Sequence, residues 1–237
     1  MSRFWAEPRR LLVEADALAV VGGAEWRRVG FDGEADAAFA ASVPDALVPR
    51  GSRCQVLLAD ALVRYLVIQW PSGLRGRSER AAFVAHRFRE VHAVTAPDWQ
   101  IMVEPTAGGF PALACAAPAA LIEAIAAWAR RHRVRLAGLS GEFVAAYNRA
   151  RPRVAHGFGA LGLQRDGRLT IGMWHDAVWH ALRSQPLGAG GDNAVGVMLA
   201  SMRGRLGGEG GVLYCFGPML DAPAGWRAFM LGNDAWD

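Results

Sequence analysis

One stretch of the chain has glycines whose spacing could support cofactor chemistry. Gly157, Gly159 and Gly162 match the pattern G-x-G-x-x-G, in which glycines let a pyrophosphate approach the N-terminus of a helix. That pattern needs a strand before it and a helix after it. Here the polar segment RPRVAH precedes it and a hairpin pattern follows, so the sequence disfavours a dinucleotide site.

A second stretch, GLSGEF, places Ser140 between a predicted strand and a predicted helix. A nucleophile elbow holds its serine at such a turn, above the sheet. Glu142 replaces the last glycine of the G-x-S-x-G pattern, and serine is strongly favoured at helix N-caps. We therefore predict that Ser140 caps the following helix, and a serine hydrolase is kept as an alternative.

The residue types that are missing exclude several enzyme classes. All 26 lysine-plus-arginine positions are arginine, which removes a P-loop, Schiff-base or kinase lysine. The six histidines include no H-x-x-x-H or H-E-x-x-H pair, so no zinc site is expected. Cys54, Cys115 and Cys215 are widely spaced within apolar runs, which favours reduced core thiols over disulfides or a C-x-x-C pair. We predict no catalytic residues and no metal site.

The charge of the chain gives only weak evidence for nucleic-acid binding. The net charge is +4, but acidic and basic residues alternate along most of the sequence. The densest basic cluster, Arg130–Arg133 with Arg135, could contact phosphate. It also ends a predicted helix, where cations offset the negative end of the helix dipole, and we favour that role. No nucleic-acid partner is expected.

The elements that must position any site alternate between strands and helices. Apolar alternation predicts strands over 10–15, 18–23, 25–31, 54–59, 62–70, 99–105, 111–117, 134–139, 158–164, 168–174, 177–183 and 212–216. Helical periodicity predicts helices over 34–46, from Ser78 to His92, from Pro118, over 143–150, and after an N-cap at Asp192. Each half opens with a three-stranded meander. Pro152 ends a helix, so we place two lobes at residues 1–152 and 153–237.

Three further segments bear on location and interfaces. The apolar run 111–129 is interrupted by Pro118 and contains Glu123, so we predict a strand and a helix there and not a membrane span. With no secretory signal in the sequence, a cytoplasmic location is expected. LVPRGS at 47–52 is similar to a thrombin recognition sequence, and we interpret it as an exposed loop. Trp226 and Trp236 are candidates for an interface.

Several local features together resemble a known family. LVRYLVIQWP at 62–71 is followed by a helix that contains AHRF at 85–88, and then by ALACAAPAALIEAI and RLAGLSGEFVAAYNRA. In this order they resemble the actin-like (ASKHA) assembly proteins of type IV pili and type II secretion, the PilM group and the cytoplasmic part of GspL. The resemblance implies an α/β, two-lobed, ribonuclease H-like fold with mixed sheets and an abbreviated second lobe.

The resemblance also implies where a nucleotide would bind. In actin-like ATPases the first hairpin turn of each lobe wraps phosphate, which needs several small residues and an acid for Mg²⁺. The corresponding turns here, 14–17 and 164–167, are short, and only Asp16, Asp166 and Gly167 could contact a nucleotide. We therefore expect no cofactor and a non-catalytic scaffold that docks a membrane-anchored partner of a pilus or secretion assembly. The alternative is a weak ATP- and Mg²⁺-binding ATPase or sugar-kinase relative.

Overall fold

The computed structural model is an α/β structure with thirteen strands and five α-helices in the part of the chain that it describes. The described residues are 8–21, 26–74, 76–95, 97–106, 109–154, 157–187, 194–203, 210–232 and 235–236. The strands are β1 (Arg9–Val13), β2 (Ala17–Val21), β3 (Arg27–Gly30), β4 (Arg53–Leu58), β5 (Arg64–Ile68), β6 (Trp99–Val103), β7 (Ala112–Pro118), β8 (Arg135–Gly141), β9 (Phe158–Arg165), β10 (Arg168–His175), β11 (Val178–Pro186), β12 (Gly211–Phe216) and β13 (Trp226–Gly232). The helices are α1 (Ala35–Ala40), α2 (Arg77–His92), α3 (Ala119–Arg131), α4 (Glu142–Ala150) and α5 (Ala194–Arg203), with 3₁₀ turns at Val43–Ala46 and Arg151–Arg153.

The first sheet joins the opening meander to two later strands, in the order β3-β2-β1-β4-β8. β1 pairs antiparallel with β2 and parallel with β4, and β4 pairs parallel with β8. Leu11 and Leu12 point to opposite faces of the sheet, and both are fully buried. Because both faces of β1 are covered at residues 11–13, these three residues form a continuous apolar run and not an alternating pattern.

The second sheet repeats this arrangement in the order β11-β10-β9-β12-β13. β9 pairs antiparallel with β10 and parallel with β12, and β12 pairs parallel with β13. Only residues 217–225 connect β12 to β13, whereas the segment between β4 and β8 contains three strands and two helices. The sequence therefore predicted the duplicated, abbreviated architecture correctly, although β13 was not predicted.

A third sheet, in the order β5-β7-β6, packs against α2. Val84 and Phe88 of α2 lie one turn apart and are buried with Ile68 of β5. α2 begins at Arg77, one residue before the predicted cap at Ser78, and the Gly76 N–H donates to the Glu79 carboxylate at 3.4 Å. The N-cap is therefore Gly76 and not the predicted Ser78, so the predicted start of this helix was two residues late.

Aromatic and sulfur-containing side chains fill the core around the other helices. Trp128 of α3 is fully buried, packs edge-on against Phe39 of α1, and donates its indole N–H to Asp45 at 2.8 Å. In α5 the predicted apolar face is buried against β10 and β12; its members are Val195, Met198, Leu199 and Met202. The predicted cap of this helix, Asp192, lies outside the described residues.

Packing divides the described chain into two compact units, each built from more than one segment. The first unit contains the residues up to Val63, Ala117–Ala145 and Trp236, and the second contains Arg64–Ala116 and Ala146–Ala235. The segment that forms the third sheet thus packs with the second unit. The lobes at residues 1–152 and 153–237 stay a prediction, since a unit defined by packing differs from a lobe defined by a repeated fold.

Two predictions about the surface and the core can be compared with the structure. Leu47 and Val48 of the LVPRGS segment are each 2% exposed, so only its second half forms the predicted exposed loop. Cys54 and Cys215 are buried, Cys115 is half-buried, and all three are free thiols, as predicted. The longest described helix, α2, has sixteen residues, and no described helix could serve as a transmembrane span.

Candidate functional site

Three buried acids lie at the carboxyl ends of neighbouring strands of the first sheet. Glu14 follows β1, Asp60 lies just after β4 and Glu142 follows β8, and their exposed fractions are 5%, 6% and 1%. Ligands of open α/β sheets bind outside the carboxyl ends of the strands. Buried carboxylates also need partners, because an ionised group loses its hydration on burial. This edge is therefore the candidate functional site, and the partners of the acids decide what it can do.

The first hairpin turn contains Asp16 and is very tight. The Glu14 N–H donates to the Ala17 carbonyl at 2.9 Å, which leaves only Ala15 and Asp16 in the loop. Arg28 of β3 contacts both acids of the turn: its Nε lies 2.8 Å from Glu14 Oε2, and its Nη2 lies 3.2 Å from Asp16 Oδ1. The positive guanidinium thus balances the negative charge of Glu14 and Asp16, which a Mg²⁺ ion would need in order to bind here.

The other two acids at this edge bind donors from the protein itself. Asp60 Oδ1 accepts the backbone N–H of Phe143 at 3.1 Å, so Asp60 caps α4 from a neighbouring strand. The Trp236 indole donates to Glu142 Oε1 at 3.5 Å. Trp226 and Trp236, which the sequence suggested for an interface, are buried, and that prediction was wrong. The acids at this edge therefore serve folding contacts.

The second hairpin turn contains the other predicted residues, Asp166 and Gly167. Both have positive φ values, 47° and 66°, which is typical of a two-residue type I′ turn. Asp166 and Arg165 border an open pocket of about 250 Å³, which is also lined by Leu163, Gln164, Gly217, Pro218 and Ala235. Asp16 belongs to the first unit, and Asp166 and Gly167 to the second.

The site offers Mg²⁺ no set of free carboxylates. Within the described ranges, no three His, Cys, Asp or Glu side chains are grouped as metal ligands. Glu14 and Asp16 share one arginine, and Asp60 is held at the start of a helix. In nucleotide sites Mg²⁺ is held by one or two carboxylates together with phosphates and waters, and at this edge Glu14, Asp16 and Asp60 each already contact a donor from the protein.

Two glycines of the G-x-G-x-x-G motif have packing roles. Gly159 and Gly162 lie in β9 and not before a helix. A Cβ at Gly159 would lie 2.9 Å from the Trp174 ring, and one at Gly162 would lie 2.4 Å from Leu220. These glycines let the core approach the strand closely, so the motif has no dinucleotide context.

Ser140 does not cap α4, so the prediction of a cap was wrong. Ser140 lies within β8, and its hydroxyl donates to the Gly141 carbonyl at 3.3 Å. Asp60 supplies the cap instead, from 83 positions away along the chain. No described contact gives Ser140 a general base, so the geometry offers no hydrolase triad.

A charged residue directly after an apolar strand, as at Asp60 and Glu142, is the sequence signal that could have located these acids.

Two sheets with the same mixed strand order, each opened by an antiparallel meander, define the actin-like fold. No family model and no curated protein matches the sequence. Solved structures share this fold, among them three with TM-scores above 0.5. A Bacteroides thetaiotaomicron protein with an actin-like ATPase fold and unknown function is 10% identical, with a TM-score of 0.61, over 93% of this chain and 87% of that one.

The other two belong to secretion and pilus systems. The cytoplasmic domain of EpsL, an inner membrane component of the type II secretion system of Vibrio cholerae, is 13% identical, with a TM-score of 0.59, over 95% of this chain and 89% of that one. A chain of a PilM-PilN type IV pilus biogenesis complex is 15% identical, with a TM-score of 0.55, over 83% of this chain and 66% of that one. These likenesses confirm the fold and the resemblance inferred from the sequence.

Proposed function

We propose that this protein is a non-catalytic scaffold of a type IV pilus or type II secretion-like assembly, working in the cytoplasm and docking a membrane-anchored partner. The likeness to the EpsL domain and to the PilM-PilN complex supports an assembly role. Fold alone does not fix function, so the chemistry of the site must also agree. That chemistry favours binding over catalysis.

One observation carries the proposal: Arg28 contacts both Glu14 and Asp16 at the first hairpin turn. A phosphate-wrapping loop needs free backbone N–H groups, and Mg²⁺ needs free carboxylates. The turn has two loop residues, and the Glu14 N–H is used to close it. A Mg-nucleotide would have to displace the Arg28 guanidinium from the buried Glu14 carboxylate, which costs the free energy of that ion pair.

Calorimetry with Mg-ATP and co-expression with the products of neighbouring genes test the proposal together. We expect no heat of binding at millimolar nucleotide, and we expect a membrane-anchored product to co-purify. The Asp16→Asn and Asp166→Asn variants should capture that product as well as the unaltered protein does. Failure to capture any neighbouring product would contradict the scaffold role.

The alternative, a weak ATP-binding relative of ATPases or sugar kinases, is favoured by the pocket beside Asp166 in the second unit. Its volume of about 250 Å³ could admit part of a nucleotide. This alternative predicts a heat of binding that requires Mg²⁺ and is lost in the Asp166→Asn variant. The same titration therefore separates the two functions.

A further inference from the structure

β8 forms one edge of the first sheet and pairs there with β4 alone among the described strands. Its first three residues, Arg135, Leu136 and Ala137, are all exposed, so this end of the strand is accessible on both faces. An edge strand offers unpaired backbone N–H and C=O groups to another chain. β8 thus has the geometry that an added strand requires.

A β-bulge gives this edge one apolar face. Cys54 lies opposite Leu136 and Gln55 lies opposite Gly138, so Ala137 is an extra residue in β8. Because of this insertion, Leu136 and Leu139 point to the same face although they are three residues apart. Their exposed fractions are 40% and 36%, which leaves an apolar pair open to solvent.

The other face of the same edge is basic. Arg53 and Arg135 are direct partners on neighbouring strands, and both are exposed. Like charges in direct register repel each other unless an anion lies between them. Arg50 and Arg133 lie in the loops before β4 and β8, and both are exposed.

Two backbone hydrogen bonds hold these loops together. The Gly51 N–H donates to the His132 carbonyl at 3.1 Å, and the Arg135 N–H donates to the Ser52 carbonyl at 2.8 Å. The segments 47–53 and 130–140 contain no acidic residue. These bonds hold the backbone at the start of β8 in place, and its positive charge is not balanced within these segments; Asp45, just outside them, lies 3.2 Å from His132.

We propose that the β8 edge binds an extended partner segment in which acidic residues alternate with apolar ones. This inference rests on the docking function proposed above. Such a segment adds as a sixth strand, places its acids over Arg53 and Arg135, and places its apolar residues against Leu136 and Leu139. Arginine binds carboxylates through two parallel hydrogen bonds, which fixes the register of the added strand. A second copy of this edge is a poor occupant, because arginine would face arginine.

Fluorescence anisotropy tests the proposal with a short labelled peptide that alternates glutamate with valine. We expect saturable binding, and the R53E/R135E double variant should bind about tenfold more weakly, because two charge-assisted contacts are reversed. Leu136→Thr should also weaken binding, through the apolar face. Arg183→Glu, which reverses one exposed arginine of β11, is the control for the single variants Arg53→Glu and Arg135→Glu, and it should leave the affinity unchanged.

Hydrogen exchange distinguishes strand addition from simple charge attraction. Amides of residues 136–139 should exchange more slowly when the peptide is bound, and a peptide with lysine in place of glutamate should give no protection. The proposal is overturned by equal binding of the lysine peptide, by an equal loss in Arg183→Glu, or by binding to anionic lipid vesicles without peptide binding. Co-purification of a membrane-anchored product by the R53E/R135E variant would keep the scaffold role and remove this surface from it.

Discussion

Replacing Arg28 with methionine isolates the contact on which the proposed function depends. Methionine keeps most of the apolar stem of the side chain and removes the guanidinium, so mainly the charge is lost. Glu14 then stays buried, with 7% of its side chain exposed, and loses the donor that lies 2.8 Å away. A hydrogen bond to a charged group contributes about 1.5–3 kcal/mol.

The exposure of the two partners sets the expected size of the effect. The Arg28 side chain is 55% exposed, so solvent screens it, and we expect a loss near the low end, about 1.5 kcal/mol. The second contact, to Asp16, adds little because that carboxylate is 77% exposed. For a domain of this size, the loss lowers Tm by about 3–6 °C.

Urea unfolding of a double-mutant cycle measures this contact. Glu14→Gln, Arg28→Met and the double variant should show a coupling free energy of about 1 kcal/mol, because either single change already removes the pair. Asp16→Asn is the control, and it should change the free energy of unfolding by less than about 0.5 kcal/mol. Additive losses at Glu14 and Arg28, or no loss in Arg28→Met, would show that the arginine does not balance this acid.

The buried thiols and the LVPRGS segment give two further predictions. Burial raises the pKa of Cys54 from about 9 to about 12. The contribution of this thiol to the free energy of unfolding should therefore be fully present well below pH 9 and be lost as pH rises toward 12, because only the unfolded chain ionises it there. Urea titrations at neutral and alkaline pH should show a shallower fall in Cys54→Ala. Thrombin should leave the folded chain intact and cleave it in urea. The reason is that Leu47 and Val48 are buried and the Val48 N–H donates to the Pro44 carbonyl at 2.9 Å. Rapid cleavage of the native protein would contradict this burial.

Local sequence patterns were enough to predict most elements. α2 was predicted from a cap at Ser78 to His92 and spans Arg77–His92, because its few apolar residues recur with helical spacing. The strands of both meanders were recognisable from short apolar runs separated by turns. β13 was missed because it follows the Pro- and Gly-containing segment 217–225 and is only partly buried.

The candidate site depended on contacts that local pattern does not encode. Asp16, Asp166 and Gly167 were selected as turn residues, and the structure places them in two separate turns. Asp60 and Glu142 had no assigned role, since their place after a strand does not show which donors they contact. Their partners, Phe143 and Trp236, are 83 and 94 positions away, respectively.

The sequence by itself determined the order of strands and helices, because each element follows from side-chain spacing within about a dozen residues. It also determined that both first hairpin turns are short. Only the tertiary structure decided which strands are sheet edges and which charges meet. Strand pairing brings Arg28 to Glu14, and Arg53 to Arg135, and such pairing depends on the packing of the whole sheet.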